Sequence, residues 1–119
     1  MNVTVIQALQ FSKENNHIIL DVRTASEISN GTPKGAVCLN LNHINELALN
    51  KLCKDNTYYV ICQSGHRSLL AIEKLKLLGF DKLFLIKNGF ESWQKEDLPI
   101  DFPQIEDNEI RYERHYQLQ

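Results

Sequence analysis

An α/β fold is predicted for this 119-residue chain, with a mostly parallel sheet of about five strands and helices on both faces. Three observations predict it. Short apolar runs rich in β-formers recur along the chain, as in His17-Ile18-Ile19-Leu20-Asp21-Val22 and Thr57-Tyr58-Tyr59-Val60-Ile61. The first of these is apolar at nearly every position, which fits a strand buried on both faces better than an exposed hairpin strand. Between the runs lie segments whose apolar residues recur at helical spacing.

The elements follow in order. Thr4-Val5-Ile6-Gln7 fits a capping box and opens a helix with Val5, Ile6 and Leu9 as apolar contacts, closed by Asn15-Asn16. The strand at His17 to Val22 comes next, then a polar stretch from Thr24 to Asn30 with helical potential, ended by Gly31 and Pro33. Gly35-Ala36-Val37-Cys38-Leu39 reads as a second short strand. From Asn42, a plausible cap, Ile44, Leu47, Ala48 and Leu52 take up a helical period. Asp55-Asn56 turn the chain into the strand Thr57 to Ile61. After Cys62 to Arg67 a helix carries Ser68, Ala71, Ile72, Leu75 and Leu78 on one face, with Gly79 as its left-handed stop. Leu83-Phe84-Leu85-Ile86 is the last strand, and Asn88-Gly89 lead into a short helix where Phe90 and Trp93 share a face as core residues.

Composition narrows the function classes. The mass of 13.8 kDa allows one ordinary domain. With 43% hydrophobic and 24% charged residues the chain is globular rather than disordered. A net charge of −2 gives no electrostatic reason to expect nucleic acid or an anionic membrane as partner. Apolar stretches are too short to span a bilayer. Met1-Asn2-Val3-Thr4 has neither the basic nor the apolar region of a secretory signal, and the three cysteines fit no complete disulfide framework. Free thiols in a reducing cytoplasm are therefore expected.

Ligands of such sheets bind beyond the carboxyl ends of the strands, which directs attention to Cys62-Gln63-Ser64-Gly65-His66-Arg67. A loop between a strand and a helix can curl successive N–H groups around the sulfur, and with the helix N-terminus these favour thiolate over thiol. Gly65 lets the backbone bend, and Arg67 adds a forked cation suited to an oxyanion. A thiolate beside an anion cradle is equipped to attack an anionic substrate and stabilise its anionic leaving group. His66 could act as a general base, but contact with substrate is the favoured reading because the cradle already ionises the thiol. Cys38, in a strand, and Cys53, at a helix end, are expected as small buried hydrophobes. No Cys-x-x-Cys occurs, so neither a zinc site nor a thioredoxin-type dithiol is expected, and no cofactor is called for.

These residues resemble the single-domain rhodaneses, a family of sulfurtransferases, over roughly residues 4–100. Leu20-Asp21-Val22-Arg23 with Glu27 and Gly31 is similar to the family's first signature, and Gly35-Ala36 to the opening of its next strand. Cys62 to Ser68 is similar to the active loop, Leu78-Gly79-Phe80 to the helix end beyond it, and Asn88-Gly89-Phe90 through Trp93 to Leu98-Pro99 to the closing pattern. The chain departs from the family in Thr32-Pro33-Lys34-Gly35, in Ile28 after the first-signature Glu, and in Asn88 where Gly is usual. The resemblance implies that thiolate Cys62 takes the outer sulfur of a donor such as thiosulfate, releasing sulfite. A thiol, cyanide or protein acceptor then removes that sulfur from the cysteine persulfide. It further implies that the backbone from Gln63 to Arg67 holds the persulfide and that Arg67 attracts the donor. Asp21 and Arg23 are expected to pair and brace the loop from a neighbouring strand, with Ser68 in support.

Phosphatases of this fold are the rival enzyme class, but their loop has five residues between Cys and Arg. Here there are four, a tighter ring that suits one sulfur atom. A third reading is a persulfide carrier serving a sulfur-relay partner. Residues 101–119 are expected as a polar tail beyond the 1–100 domain, either a remnant linker or the start of a further domain. Within it, Arg111-Tyr112-Glu113-Arg114-His115-Tyr116-Gln117-Leu118 resembles the opening of adenylyltransferases that activate sulfur-carrier proteins.

Overall fold

The computed structural model describes residues 1–103, and only the backbone of Glu46 and Leu47. Its elements are β1 (Asn2–Val3), α1 (Val5–Phe11), β2 (His17–Asp21), α2 (Ala25–Ser29), β3 (Thr32–Pro33) and β4 (Val37–Cys38). A 3-10 turn (Leu41–His43), α3 (Glu46–Lys51), β5 (Thr57–Ile61), α4 (His66–Leu77), β6 (Leu83–Ile86), α5 (Gly89–Lys95) and β7 (Ile100–Asp101) complete it. Five strands form one sheet in the order β1-β6-β5-β2-β4, every neighbouring pair parallel. β3 and β7 form a separate antiparallel pair.

Period-two alternation splits the core between the two faces of the sheet. Ile18 and Leu20 of β2 and Tyr58 and Val60 of β5 face one side, where Ala48 and Leu52, Ala71 and Leu75 pack. Ile19, Tyr59 and Ile61 face the other, against Val5 and Ala8 of α1 and Phe90 and Trp93 of α5. Cys62 continues the first of these sets. The Trp93 indole is fully buried, and its Nε1–H donates to the Pro99 carbonyl at 2.9 Å, which satisfies the one polar atom that burial would otherwise strand.

The capping box at Thr4 is present in full: the Gln7 N–H donates to Thr4 Oγ1 at 3.1 Å and the Thr4 N–H to Gln7 Oε1 at 2.9 Å. Some local expectations are corrected. The helix expected from Asn42 is broken into the 3-10 turn and α3, because Ile44 between them is extended, with ψ 91°. The cap there is Asn40, whose Oδ1 accepts from the Asn42 N–H at 3.0 Å. The second strand keeps only Val37 and Cys38 of its five expected residues. β1, β3 and β7 were not expected, since two-residue strands are too short to show a period.

The chain leaves β2 for β4 on one side and later returns through β5 on the other. That divergence makes the gap beyond the β2 and β5 carboxyl ends the topological switch point, where α/β sheets hold ligands. Asp21 and Ile61 are register partners at that end, so the chain segments that begin at Val22 and Cys62 leave the sheet side by side.

Candidate active site

Cys62 is 1% exposed, and its sulfur sits at the N-terminus of α4. The Gly65 N–H donates to Cys62 Sγ at 3.0 Å and the Ser68 N–H donates to it at 3.4 Å. Gly65 is the N-cap residue of the twelve-residue α4, and its φ of 108° and ψ of −11° turn its amide toward the sulfur. That backbone is the reason a glycine stands here, since a side chain would strain it. Donor amides and the positive end of a helix thus converge on one sulfur atom.

The outward side of the loop is fixed by α5. The Phe90 N–H donates to the Cys62 carbonyl at 2.8 Å, and the Glu91 N–H donates to the Gln63 carbonyl at 3.1 Å. Donors that a helix N-terminus leaves free are therefore used to hold the carbonyls away from the sulfur. Gly89 makes the approach feasible. A Cβ on it would lie 2.3 Å from the Cys62 carbonyl oxygen and 2.6 Å from that of Gln63. Asn88 before it holds φ 62°, the left-handed conformation that Asn tolerates.

Two arginines lie around the loop, and each is matched to a carboxylate. Arg23 is 2% exposed and donates to Asp21 through Nε and through Nη2, the latter at 2.9 Å from Oδ2. It also donates to the Gly31 carbonyl and, from Nη1, to Gln63 Oε1 at 3.2 Å, while its guanidinium lies 4.2 Å from the centre of the Phe90 ring. Asp21 takes a further bond from the Thr32 hydroxyl at 2.7 Å. The buried pair thus reaches the loop through the Gln63 side chain.

Arg67 donates to Glu27 in a bidentate pair, Nη1 to Oε1 at 2.7 Å and Nη2 to Oε2 at 2.8 Å. Sequence reasoning turned its fork toward a bound anion; the structure turns it onto a carboxylate from α2. The same Glu27 closes a capping box with Thr24, whose N–H donates to Glu27 Oε1 at 3.1 Å. The Arg67 hydrogen bonds hold the Glu27 carboxyl down at about 2 against the opposing effect of burial, with the Thr24 N–H assisting. Glu27 in turn raises the Arg67 guanidinium, chiefly by the same bonds.

Ser64 and His66 are exposed, Gln63, Gly65 and Arg67 half-buried, and Ser68 is buried. Cys38 is buried, with Sγ 3.8 Å from the Ala36 carbonyl oxygen and 3.9 Å from Thr32 Oγ1. Cys53, expected to be buried, is exposed instead. It lies past the end of α3 at the surface, and its backbone N–H and carbonyl both bond the Tyr58 hydroxyl at 3.0 Å. A cleft of about 370 Å³ opens at the amino end of β2, lined by residues 12–19 with Lys34 and Gly35; it holds none of the expected site residues.

Residues 4–96 match the model of the rhodanese-like domain. The chain belongs to that family. Among curated relatives of this rhodanese-like domain, the thiosulfate sulfurtransferase GlpE of Glaesserella parasuis serovar 5 is 29% identical over 99 residues, covering 83% of this chain and 91% of that protein. The adenylyltransferase and sulfurtransferase uba4 of Ogataea parapolymorpha is 27% identical over 94 residues, 79% of this chain but 24% of that one. Among solved structures, the rhodanese-related protein of Thermoplasma volcanium superposes with a TM-score of 0.75 at 25% identity, covering 86% of this chain and 98% of that one. No helix among the described residues is long and apolar enough to cross a membrane. The adenylyltransferase-like stretch from Arg111 to Leu118 lies outside the described residues.

Sequence reasoning gave Glu27 and Gly89 no place in the site. Both had a signal. Thr24-x-x-Glu27 is a capping-box pattern that marks a fixed carboxylate, and Asn88-Gly89 marks a backbone turn. What neither pattern carries is the partner in space.

Proposed function

We propose that this rhodanese-like domain is a sulfurtransferase that carries a sulfane sulfur on Cys62. The observation that supports this most directly is the sulfur at the N-terminus of α4 with the Gly65 and Ser68 amides turned to it. In the first step the Cys62 thiolate attacks the outer sulfur of thiosulfate, the S–S bond of thiosulfate breaks, and its electron pair leaves with sulfite. Cys62 then bears a persulfide, and the negative charge has moved one atom outward. In the second step a thiol or cyanide takes the outer sulfur and the Cys62 thiolate returns. An odd number of cysteines suits a reducing cytoplasm, and small anionic donors are the substrates this reading requires rather than nucleic acid or a membrane.

The test is intact mass after incubation with thiosulfate, followed by addition of cyanide. One sulfur should be gained and then released as thiocyanate, and Cys62→Ser should abolish the gain while Cys38→Ser keeps it. An adduct that survives Cys62→Ser overturns the assignment. The likeness to uba4 favours a second reading, in which the acceptor is a sulfur-relay protein; a persulfide that is stable to small thiols but discharged by a sulfur-carrier protein would select it.

A further inference from the structure

One edge of β2 is open over its first residues. The Thr57 N–H donates to the Asn16 carbonyl and the Val22 N–H to the Ile61 carbonyl, so even-numbered residues along β2 turn their backbone groups to β5. Odd-numbered ones turn theirs to β4, as the bond from the Leu39 N–H to the Asp21 carbonyl shows. The β2–β4 register begins only at Leu20↔Val37, whereas β2 begins at His17. In a parallel ladder one residue of the neighbouring strand donates to a carbonyl and accepts from the N–H two residues on. Between the His17 carbonyl and the Ile19 N–H that residue would be Gly35. Gly35 instead holds φ 78° and gives its N–H to Asp101 Oδ2 at 2.8 Å. Ile19 is 4% exposed, so its N–H is a buried donor to which the described residues supply no acceptor. Such donors are rare in folded proteins, because leaving one unmade costs as much as a lost hydrogen bond.

The cleft of about 370 Å³ opens on this edge, with His17, Ile19 and Gly35 among the residues that line it. Lys13 and Lys34 line it too, and Glu14 is its one acidic residue. A volume of that size suits a small molecule. The open edge asks for an N–H and an oxygen acceptor joined through one carbon, which is the form of an α-amino-carboxylate. Two cations against one carboxylate favour a ligand with a second acid group. We propose that this cleft binds the α-amino-carboxylate unit of a small acidic ligand, either an acidic amino acid or the acidic carboxyl terminus of a peptide. Its N–H donates to the His17 carbonyl, its carboxylate accepts from the Ile19 N–H, and Lys13 and Lys34 neutralise its two acid groups. The site lies at the opposite end of β2 from Cys62, five residues or about 13 Å along the strand, so it is independent of the sulfur-carrier reading.

The experiment titrates the full chain with L-glutamate, N-acetyl-L-glutamate and glutarate, followed by the backbone amide resonances in NMR. Glutarate carries the same two carboxylates and lacks the α-nitrogen. Glutamate or its N-acetyl form should saturate the protein, move the Ile19 amide proton downfield and slow its exchange with solvent. The better of the two should bind several-fold tighter than glutarate, which leaves the His17 carbonyl without a donor. A preference for glutamate assigns the site to a free amino acid, with Glu14 facing its ammonium. A preference for the N-acetyl form assigns it to a peptide carboxyl terminus, and either upholds the proposal. Lys13 and Lys34 are exposed, so Lys13→Ala with Lys34→Ala should leave the fold intact and weaken binding several-fold. Unchanged affinity in that double variant overturns the proposal. So does glutarate binding as tightly as the other two, saturation that leaves the Ile19 amide unmoved, or no saturation by any of the three at millimolar concentration.

Discussion

The guanidinium of Arg67 donates two hydrogen bonds of 2.7 and 2.8 Å to the carboxylate of Glu27, joining the first turn of α4 to α2. Both side chains are about a third exposed, 32% and 30%, so the pair is partly screened. The pair ties the first turn of α4 to α2. Glu27→Gln and Arg67→Ala should therefore each cost about 1 kcal/mol of stability at neutral pH. They should slow sulfur uptake to similar degrees, and the double variant should be little worse than either alone. Additive losses of activity would show that Arg67 acts on the donor independently of Glu27.

The same pair sets a pH dependence. Glu27 is held down at about 2 in the folded protein, below the ordinary carboxylate value of 4.5. A depressed folded value means that the stabilisation is fully present above about 4.5 and is lost as pH falls through 2. The stability gap between parent and Glu27→Gln, measured by urea denaturation, should be level from pH 7 to 5 and narrow steadily toward pH 2. A gap that stays constant down to pH 2 would mean that the carboxylate does not gain from Arg67.

Gly89→Ala is expected to cost more than about 2 kcal/mol, since φ 56° disfavours a side chain and the added Cβ would run into two carbonyl oxygens. The loop must retreat from α5, so sulfur uptake should fall even where the variant remains folded. Asn88→Gly, one residue earlier at φ 62°, should be close to neutral. Equal effects from the two substitutions would show that the close approach is not what selects glycine.

Arg23→Met should cost roughly 3–5 kcal/mol, because it leaves the buried Asp21 carboxylate without its cation. Adding Asp21→Asn should recover part of that loss, and urea denaturation of the three variants measures it. A double variant less stable than Arg23→Met alone would place the value of Asp21 in its bond to Thr32 instead.

Truncation locates the carboxyl edge of the domain. Asp101 pairs with Thr32 in the β3–β7 sheet, and its Oδ2 accepts from the Gly35 N–H at 2.8 Å. A chain ending at Pro103 should melt with the parent, whereas one ending at Ile100 should melt several degrees lower. Identical melting of the two would make Asp101 dispensable.

The sheet and the cysteine loop were legible because their signals are local. Short, nearly continuous apolar runs rich in β-formers at His17 to Val22 and Thr57 to Ile61 name buried strands, and strand–Cys–Gly–Arg–helix names a sulfur held at a helix N-terminus. The same local reasoning broke down at Ile44, whose apolar character fits the helical period although its extended backbone interrupts the helix. The arrangement around the loop was less legible. Glu27 and Arg67 are 40 residues apart, and so are Arg23 and Gln63. Nothing in either local segment states that a carboxylate will claim the fork of Arg67 before any substrate does. Gly89 is constrained by carbonyls from another loop, which only the folded chain brings near.

The hydrogen bonds from Phe90 and Glu91 to the loop carbonyls also order events during synthesis. A nascent chain that has just exposed Cys62 possesses the thiol but not the helix that fixes its loop. That helix lies about thirty residues further on, several seconds of translation at roughly 5–20 residues per second. Until it arrives the carbonyls of Cys62 and Gln63 lack the donors that fix them. The loop is thus fixed late, by nearly the last element of the domain to be translated, and a chain that stops before Gly89 holds Cys62 without the helix that orders its backbone.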